Sequence, residues 1–252
     1  MQIYVISIEE NDSIRLKQFF SQPFFSSLNV RPKRMGVKGA DLLAKEYFEQ
    51  AVKGREIPLT PGELGCTLSH LQALKDFLST EDSHALILED DAIIPEYFDL
   101  NQLDQEIIKL RLPPKSLLSL GGIQMKESRK VRGKPYSAML LKHKILEVIP
   151  DYYHRVNYAM AYVIDRDMAQ LLLQYHHPLR RADDWSCLYD FDATVHLYMV
   201  HLIDHPVIQK GETNQALSAI EAERVDQQGL RKSKYGNSLR RNLAKLFSER
   251  YF

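Results

Sequence analysis

Little in this chain could cross-link it, span a bilayer or hold it to a polyanion. Its two cysteines, Cys66 and Cys187, show no paired-motif spacing, so neither a disulfide framework nor a zinc site is expected. The longest unbroken apolar run, Tyr158 to Ile164, is seven residues, whereas a spanning helix needs about 20. The opening "MQIYVISIEE" has no basic n-region and no cleavage site, which points to a cytosolic protein. Formal net charge is zero, and without a nucleic-acid-binding motif or a wide basic excess no nucleic acid is expected as a partner. Repeats and low-complexity stretches are missing as well. With only 11 glycines, 11 prolines and 44% hydrophobic residues, the 252-residue length suits one large α/β domain or two small ones, and one is the expectation.

The charge that is present lies unevenly. Residues 231–252 hold seven Lys or Arg against one acid, a surplus of six, and the first 230 residues carry the matching deficit. In "GNSLRRNLAKLFSERYF", residues 236–252, Leu239, Leu243, Leu246 and Phe247 recur at helical spacing while Arg240, Arg241 and Lys245 add charge. This reads as a basic amphipathic C-terminal helix, 231–252, appended to a domain over 1–230. Such a helix either packs its leucines on the body or lays them at the headgroup boundary of an anionic membrane, where Lys and Arg meet phosphates. The second reading makes the protein peripheral at the inner face of the cell membrane.

Along the chain, strands and helices alternate. Gln2 to Ile8 reads as a strand, "NDSIRLKQFF" opens a helix behind an Asn/Asp/Ser start signal, "NVRPKRMGV" holds a short strand, and Asp41 to Val52 looks helical. Thr60, Pro61 and Glu63 supply an N-cap, a first-turn proline and a capping-box partner for a helix to about Leu78. His84 to Asp90 follows as a strand, Tyr97 to Leu110 as a helix, "SLLSLGG" as a strand, "SAMLLKHKILEVI" as a hairpin, "NYAMAYVI" as a strand and Asp165 to Tyr175 as a helix. The order favours a Rossmann-like, mostly parallel sheet flanked by helices, with some later antiparallel pieces. Such sheets bind ligands outside the carboxyl ends of their strands.

That rule gives "ALILEDDAIIP", residues 85–95, its interest. "ALIL" has the continuous apolar character of a strand covered on both faces, and Glu89, Asp90 and Asp91 fall at its carboxyl end. Adjacent carboxylates repel and are costly to desolvate, so a buried cluster calls for a cation. A hard divalent ion such as Mn²⁺ or Mg²⁺, sharing its shell with substrate phosphates, would resolve the conflict. The alternative is three solvated acids capping the next segment.

"GELGCTLSHLQALKDF", then "ALILEDDAIIP", then "NYAMAYVIDRDMA" resemble, in order and spacing, the family 25 glycosyltransferases that build bacterial lipooligosaccharide, over the N-terminal strand to about residue 215. The resemblance implies a GT-A fold, a UDP-sugar donor, often UDP-galactose, an oligosaccharide or lipid-linked glycan acceptor, and inversion at the anomeric centre. It implies that Asp91 is the main Mn²⁺ ligand, that Glu89 meets the ribose or a water of the metal shell, and that Asp90 orients sugar hydroxyls. Ser7 and Ile8 would line the uracil pocket. Inversion needs a general base, and in "RRADDWSCLYD" the family's usual His-Pro-x-Asp is replaced by Arg-Ala-Asp-Asp. Simple offset favours Asp184 as that base, with Asp183 as a helix cap, but Asp183 stays a candidate.

Other residues read two ways. His70 shares a helix face with Cys66, Ala73 and Phe77, as a core histidine or as an imidazole placing the nucleotide or the acidic loop. Arg15, near the start of the first helix, either approaches the diphosphate or is an ordinary surface residue. His196, His201 and His205 lie near a late strand, where one could join a metal. Lys126, Arg129, Lys130, Arg132 and Lys134 form a basic loop that either closes over the site or is solvated. The functional readings are therefore a metal-dependent UDP-hexose transferase, a nucleotidyl or phosphoryl transferase on two metals, and a non-catalytic membrane-associated scaffold.

Overall fold

The computed structural model describes residues 1–126, 128–206 and 238–252, and the expected boundary near residue 230 lies outside them. Among the described residues one nine-stranded sheet organises the molecule. Its strands are β1 (Gln2–Ile6), β2 (Lys33–Met35), β3 (His84–Glu89), β4 (Ser116–Gly121), β5 (Arg132–Leu140), β6 (His143–Val148), β7 (Ala161–Asp165), β8 (His196–Ile203) and β9 (Glu249–Arg250), in the order β2-β1-β3-β7-β4-β8-β6-β5-β9. The neighbours β1/β2, β1/β3 and β4/β8 are parallel, and the other five pairs are antiparallel. The sheet is thus mixed rather than mostly parallel. The reversed β7 is inserted between β3 and β4, a strand order that no local periodicity encodes. β1, β3, β4 and β8 nevertheless all end at the same edge of the sheet.

Helices cover both faces because the central strands bury both. Along β1 and β3, Tyr4, Ile6, Ala85 and Ile87 enter one core with α4 (Pro61–Leu78) and α6 (Arg166–Tyr175). Ile3, Val5, Leu86 and Leu88 enter the other core with Phe19 of α1 (Ile14–Phe20), Phe24 of α2 (Pro23–Ser26) and α5 (Leu100–Leu110). The period of two in the strand assigns each side chain to a layer.

The local start signals act as expected. Thr60 accepts from the Glu63 backbone N–H and Glu63 reaches back to the Thr60 N–H, a complete capping box. Ser13 caps α1, and Asp165 caps α6. The stretch expected as a helix over 41–52 is broken into a 3₁₀ turn (Gly39–Asp41), α3 (Ala44–Tyr47) and a π turn (Phe48–Val52). The basic stretch is not one loop: Arg132 and Lys134 lie in β5, and Arg132 donates to Ser248 Oγ at 3.1 Å and to the Lys245 carbonyl.

The C-terminal segment is likewise not one helix. A helix over Ser238–Ala244 gives way to a 3₁₀ turn and to β9, which pairs with β5 at the sheet edge. Tyr251 is buried there; its hydroxyl accepts from the His201 N–H and donates to the Lys144 carbonyl. Leu243, Leu246 and Phe247 are exposed instead of packed on the body. Among the described residues, no helix is long and apolar enough to cross a membrane.

Candidate functional site

The three acids separate because each leaves the end of β3 in a different direction. Glu89 continues the alternation of Ala85 and Ile87 and faces α4, where its Oε1 lies 3.1 Å from His70 Nε2 and 4.0 Å from Cys66 Sγ. Glu89, expected at the ribose or at a water of the metal shell, thus lies against the Cys66–His70 face of α4. Asp90 follows Leu88 to the opposite layer, where Arg15 Nε and Nη2 donate to its Oδ1 at 2.8 and 2.5 Å. Asp91, past the strand end, lies 3.3 Å from Arg15 Nη2 and 3.4 Å from His205 Nε2 through its Oδ2. Its other oxygen, Oδ1, is buried and accepts no hydrogen bond from the described residues.

The electrostatics follow from that placement. Burial pushes the Asp90 carboxyl above its ordinary value, against Arg15 and the Ser7 hydroxyl. Burial also works against ionised Asp91, but the His205 hydrogen bond and the charges of His205 and Arg15 outweigh it and hold Asp91 below the usual range. The desolvation that would discharge Arg15 and His205 is likewise outweighed by the acids, so both are pushed up. Part of the cation that the acids demand is therefore Arg15 itself. An ionised, buried oxygen without a donor among the described residues still remains, and a cation would satisfy it.

Among the three late histidines only His205 meets the acids. His196 pairs with Glu147 at the start of β8, and His201 pairs with Asp204. The His205 ring packs 5.6 Å from that of Tyr158, whose backbone N–H donates to Asp183 Oδ2 at 3.3 Å. Asp183 is therefore linked to Asp91 through Tyr158 and His205. The Asp184 carboxylate turns back to accept from the Ser186 N–H and hydroxyl. The aspartate bound into a local turn is thus Asp184, whereas offset suggested Asp183 for a capping place.

Ser7 and Ile8 follow β1 at the same edge; Ser7 is buried and Ile8 half-exposed. The "GELGC" turn of α4 approaches the segment after β2 so closely that a Cβ on Gly65 would stand 2.4 Å from the Val37 carbonyl oxygen. Ser69 accepts from the Val37 N–H and seals this contact. Gly122, at φ +85°, turns the chain after β4 against Tyr158, itself at φ +74°. In the sequence Tyr158 reads as part of a strand and of a motif, whereas its place beside His205 depends on a left-handed backbone and on β8 ending beside it.

The family model of glycosyltransferase family 25, described as an LPS biosynthesis protein, matches residues 1–187, nearly three quarters of the chain. The chain belongs to glycosyltransferase family 25. No curated protein matches it. The match spans the α4 motif, the acids of β3 and Asp183, and it stops short of both His205 and the residue-215 limit of the resemblance. Membership makes the protein a glycosyltransferase of LPS biosynthesis, with a sugar donor and a glycan acceptor as its general substrates.

Proposed function

We propose that this family 25 protein is an inverting, metal-dependent hexosyltransferase with a GT-A-type site, moving a hexose, galactose foremost, from a UDP-sugar to a lipooligosaccharide or other cell-surface glycan. The observation that carries the reading is Asp91: a buried carboxylate at the carboxyl end of β3, one oxygen beside His205 and Arg15 and the other without a donor among the described residues. Carboxylate oxygen with imidazole nitrogen suits Mn²⁺, or Mg²⁺ with more of its own waters. Asp91 and His205 would hold the ion, which when bound supplies positive charge where the departing UDP diphosphate gains negative charge.

The remaining work belongs to the chain. Arg15 keeps Asp90 and Asp91 ionised and in place, Asp90 meets sugar hydroxyls, and Ser7 and Ile8 border the uracil. Asp183 takes the proton of the acceptor hydroxyl as that oxygen bonds to the anomeric carbon and the sugar–phosphate bond breaks, the electron pair leaving with UDP. A nucleotidyl transferase on two metals would bring further carboxylates to Asp91, and the side chains that meet it among the described residues are Arg15 and His205. The exposed Leu243, Leu246 and Phe247 beside exposed Lys245 and Arg250 support a peripheral contact with an anionic membrane, where lipid-linked acceptors lie.

The test is UDP release from a panel of UDP-sugars with Mn²⁺, with and without oligosaccharide acceptors. Acceptor-dependent release with one or two donors is expected. Absence of both turnover and UDP binding would overturn the reading.

A further inference from the structure

The geometry points to a second, chemically different metal site: we infer that Cys66, His70 and Glu89 form a three-residue site for Zn²⁺ that joins α4 to the end of β3. Cysteine spacing gave no sign of it, because only one ligand is a cysteine and the third comes from another element. Their ligand atoms all lie within 4.8 Å of one another, with His70 Nε2 and Cys66 Sγ at 3.1 and 4.0 Å from Glu89 Oε1. The ligands of one tetrahedral zinc stand roughly 3.3–3.8 Å apart at the bond lengths it takes to N, O and S. Small rotations of three side chains would close the difference.

Three features favour a borderline ion over a hydrogen-bonded triad alone. First, Cys66 and His70 are four residues apart on one helix, so a single helix face presents both thiol and imidazole to Glu89. Second, the other imidazole nitrogen, Nδ1, lies 2.9 Å from the buried Tyr162 hydroxyl. A hydrogen bond there fixes the ring with Nε2 aimed at Glu89, the outer partner that metal-bound histidines require. Third, Cys66 and Glu89 are only partly buried, which leaves a route for the ion and a fourth position for water. Binding would release the thiol proton to solvent. The donor set contains sulfur and so differs from the oxygen and imidazole set of Asp91 and His205. The site does not rest on the transferase reading, although it would fix the strand end from which Asp90 and Asp91 project.

The experiment uses the full-length chain, stripped with a chelator and titrated with Co²⁺ and then Zn²⁺. Co²⁺ should produce a thiolate-to-cobalt charge-transfer absorption, which Zn²⁺ should abolish at one equivalent. Cys66→Ser and Glu89→Gln should lose the band, Cys187→Ser should keep it, and Tyr162→Phe should weaken cobalt binding about tenfold or more. Should Cys66→Ser fail to fold, the wild-type titration and Glu89→Gln still decide. No band in the wild type, a band that survives Glu89→Gln, or one that disappears with Cys187→Ser would overturn the proposal. Mn²⁺ and UDP binding, measured on the same samples, report separately on the transferase site.

Discussion

Asp91 and Asp183 carry different burdens, and substitution should separate them. Asp91→Asn keeps the shape but removes the charge, so Mn²⁺ binding and UDP release should both be lost in calorimetry and in the turnover assay. His205→Ala should weaken Mn²⁺ about tenfold or more while leaving the Asp91 side chain and its Arg15 contact in place. Asp183→Asn should lower kcat by about 10²-fold or more, the usual worth of a general base, with UDP affinity unchanged. Asp184→Asn should remain near wild type, because its carboxylate serves Ser186. A severe loss in Asp184→Asn with none in Asp183→Asn would restore the assignment by offset. The acids could be located from the sequence, but their partners could not, because Arg15 and His205 lie 75 and 114 residues away along the chain from Asp90 and Asp91 respectively.

At the scale of elements, α4 decides how well the site is built. Its capping box was legible as Thr60-x-x-Glu63, and Thr60→Ala should cost about 1 kcal/mol in urea unfolding. Gly65 in the same helix is the more telling position. On helix propensity alone, Gly65→Ala would gain up to about 1 kcal/mol. The new methyl group would meet the Val37 carbonyl and the Gly39 N–H, both backbone atoms, so net destabilisation of about 1–3 kcal/mol is expected in the same measurement. The sequence announces the glycine, whereas the neighbour that demands it follows β2 and comes from outside the helix.

For the whole molecule, pH and the C-terminal edge give the tests. Burial pushes His176 down to about 4 from its ordinary 6.5, so the folded chain keeps it neutral while the unfolded chain protonates it below about 6.5. The resulting stabilisation is present above that pH and is lost as pH falls toward 4, on the order of 3 kcal/mol in total. Urea midpoints should therefore fall less steeply between pH 7 and 4.5 in His176→Leu than in the wild type. At the sheet edge, Leu246→Glu with Phe247→Glu should reduce sedimentation with anionic liposomes and leave transfer to a soluble acceptor unchanged. Unchanged sedimentation would refute the membrane contact.

Much of the order of strands and helices up to α6, the caps of α1 and α4, and the position of three acids at the end of an apolar strand followed from the sequence by itself. These depend on periodicity and on neighbours within a few residues. Tertiary structure decided the rest. Inserting β7 between β3 and β4 made the sheet mixed, and a docked β9 turned part of an expected helix into an edge strand. The layers on either side of β3 sent Glu89 to Cys66 and His70, and Asp90 to Arg15. The chemistry of each acid is set by what lies across a sheet face, and that is a property of packing between distant segments.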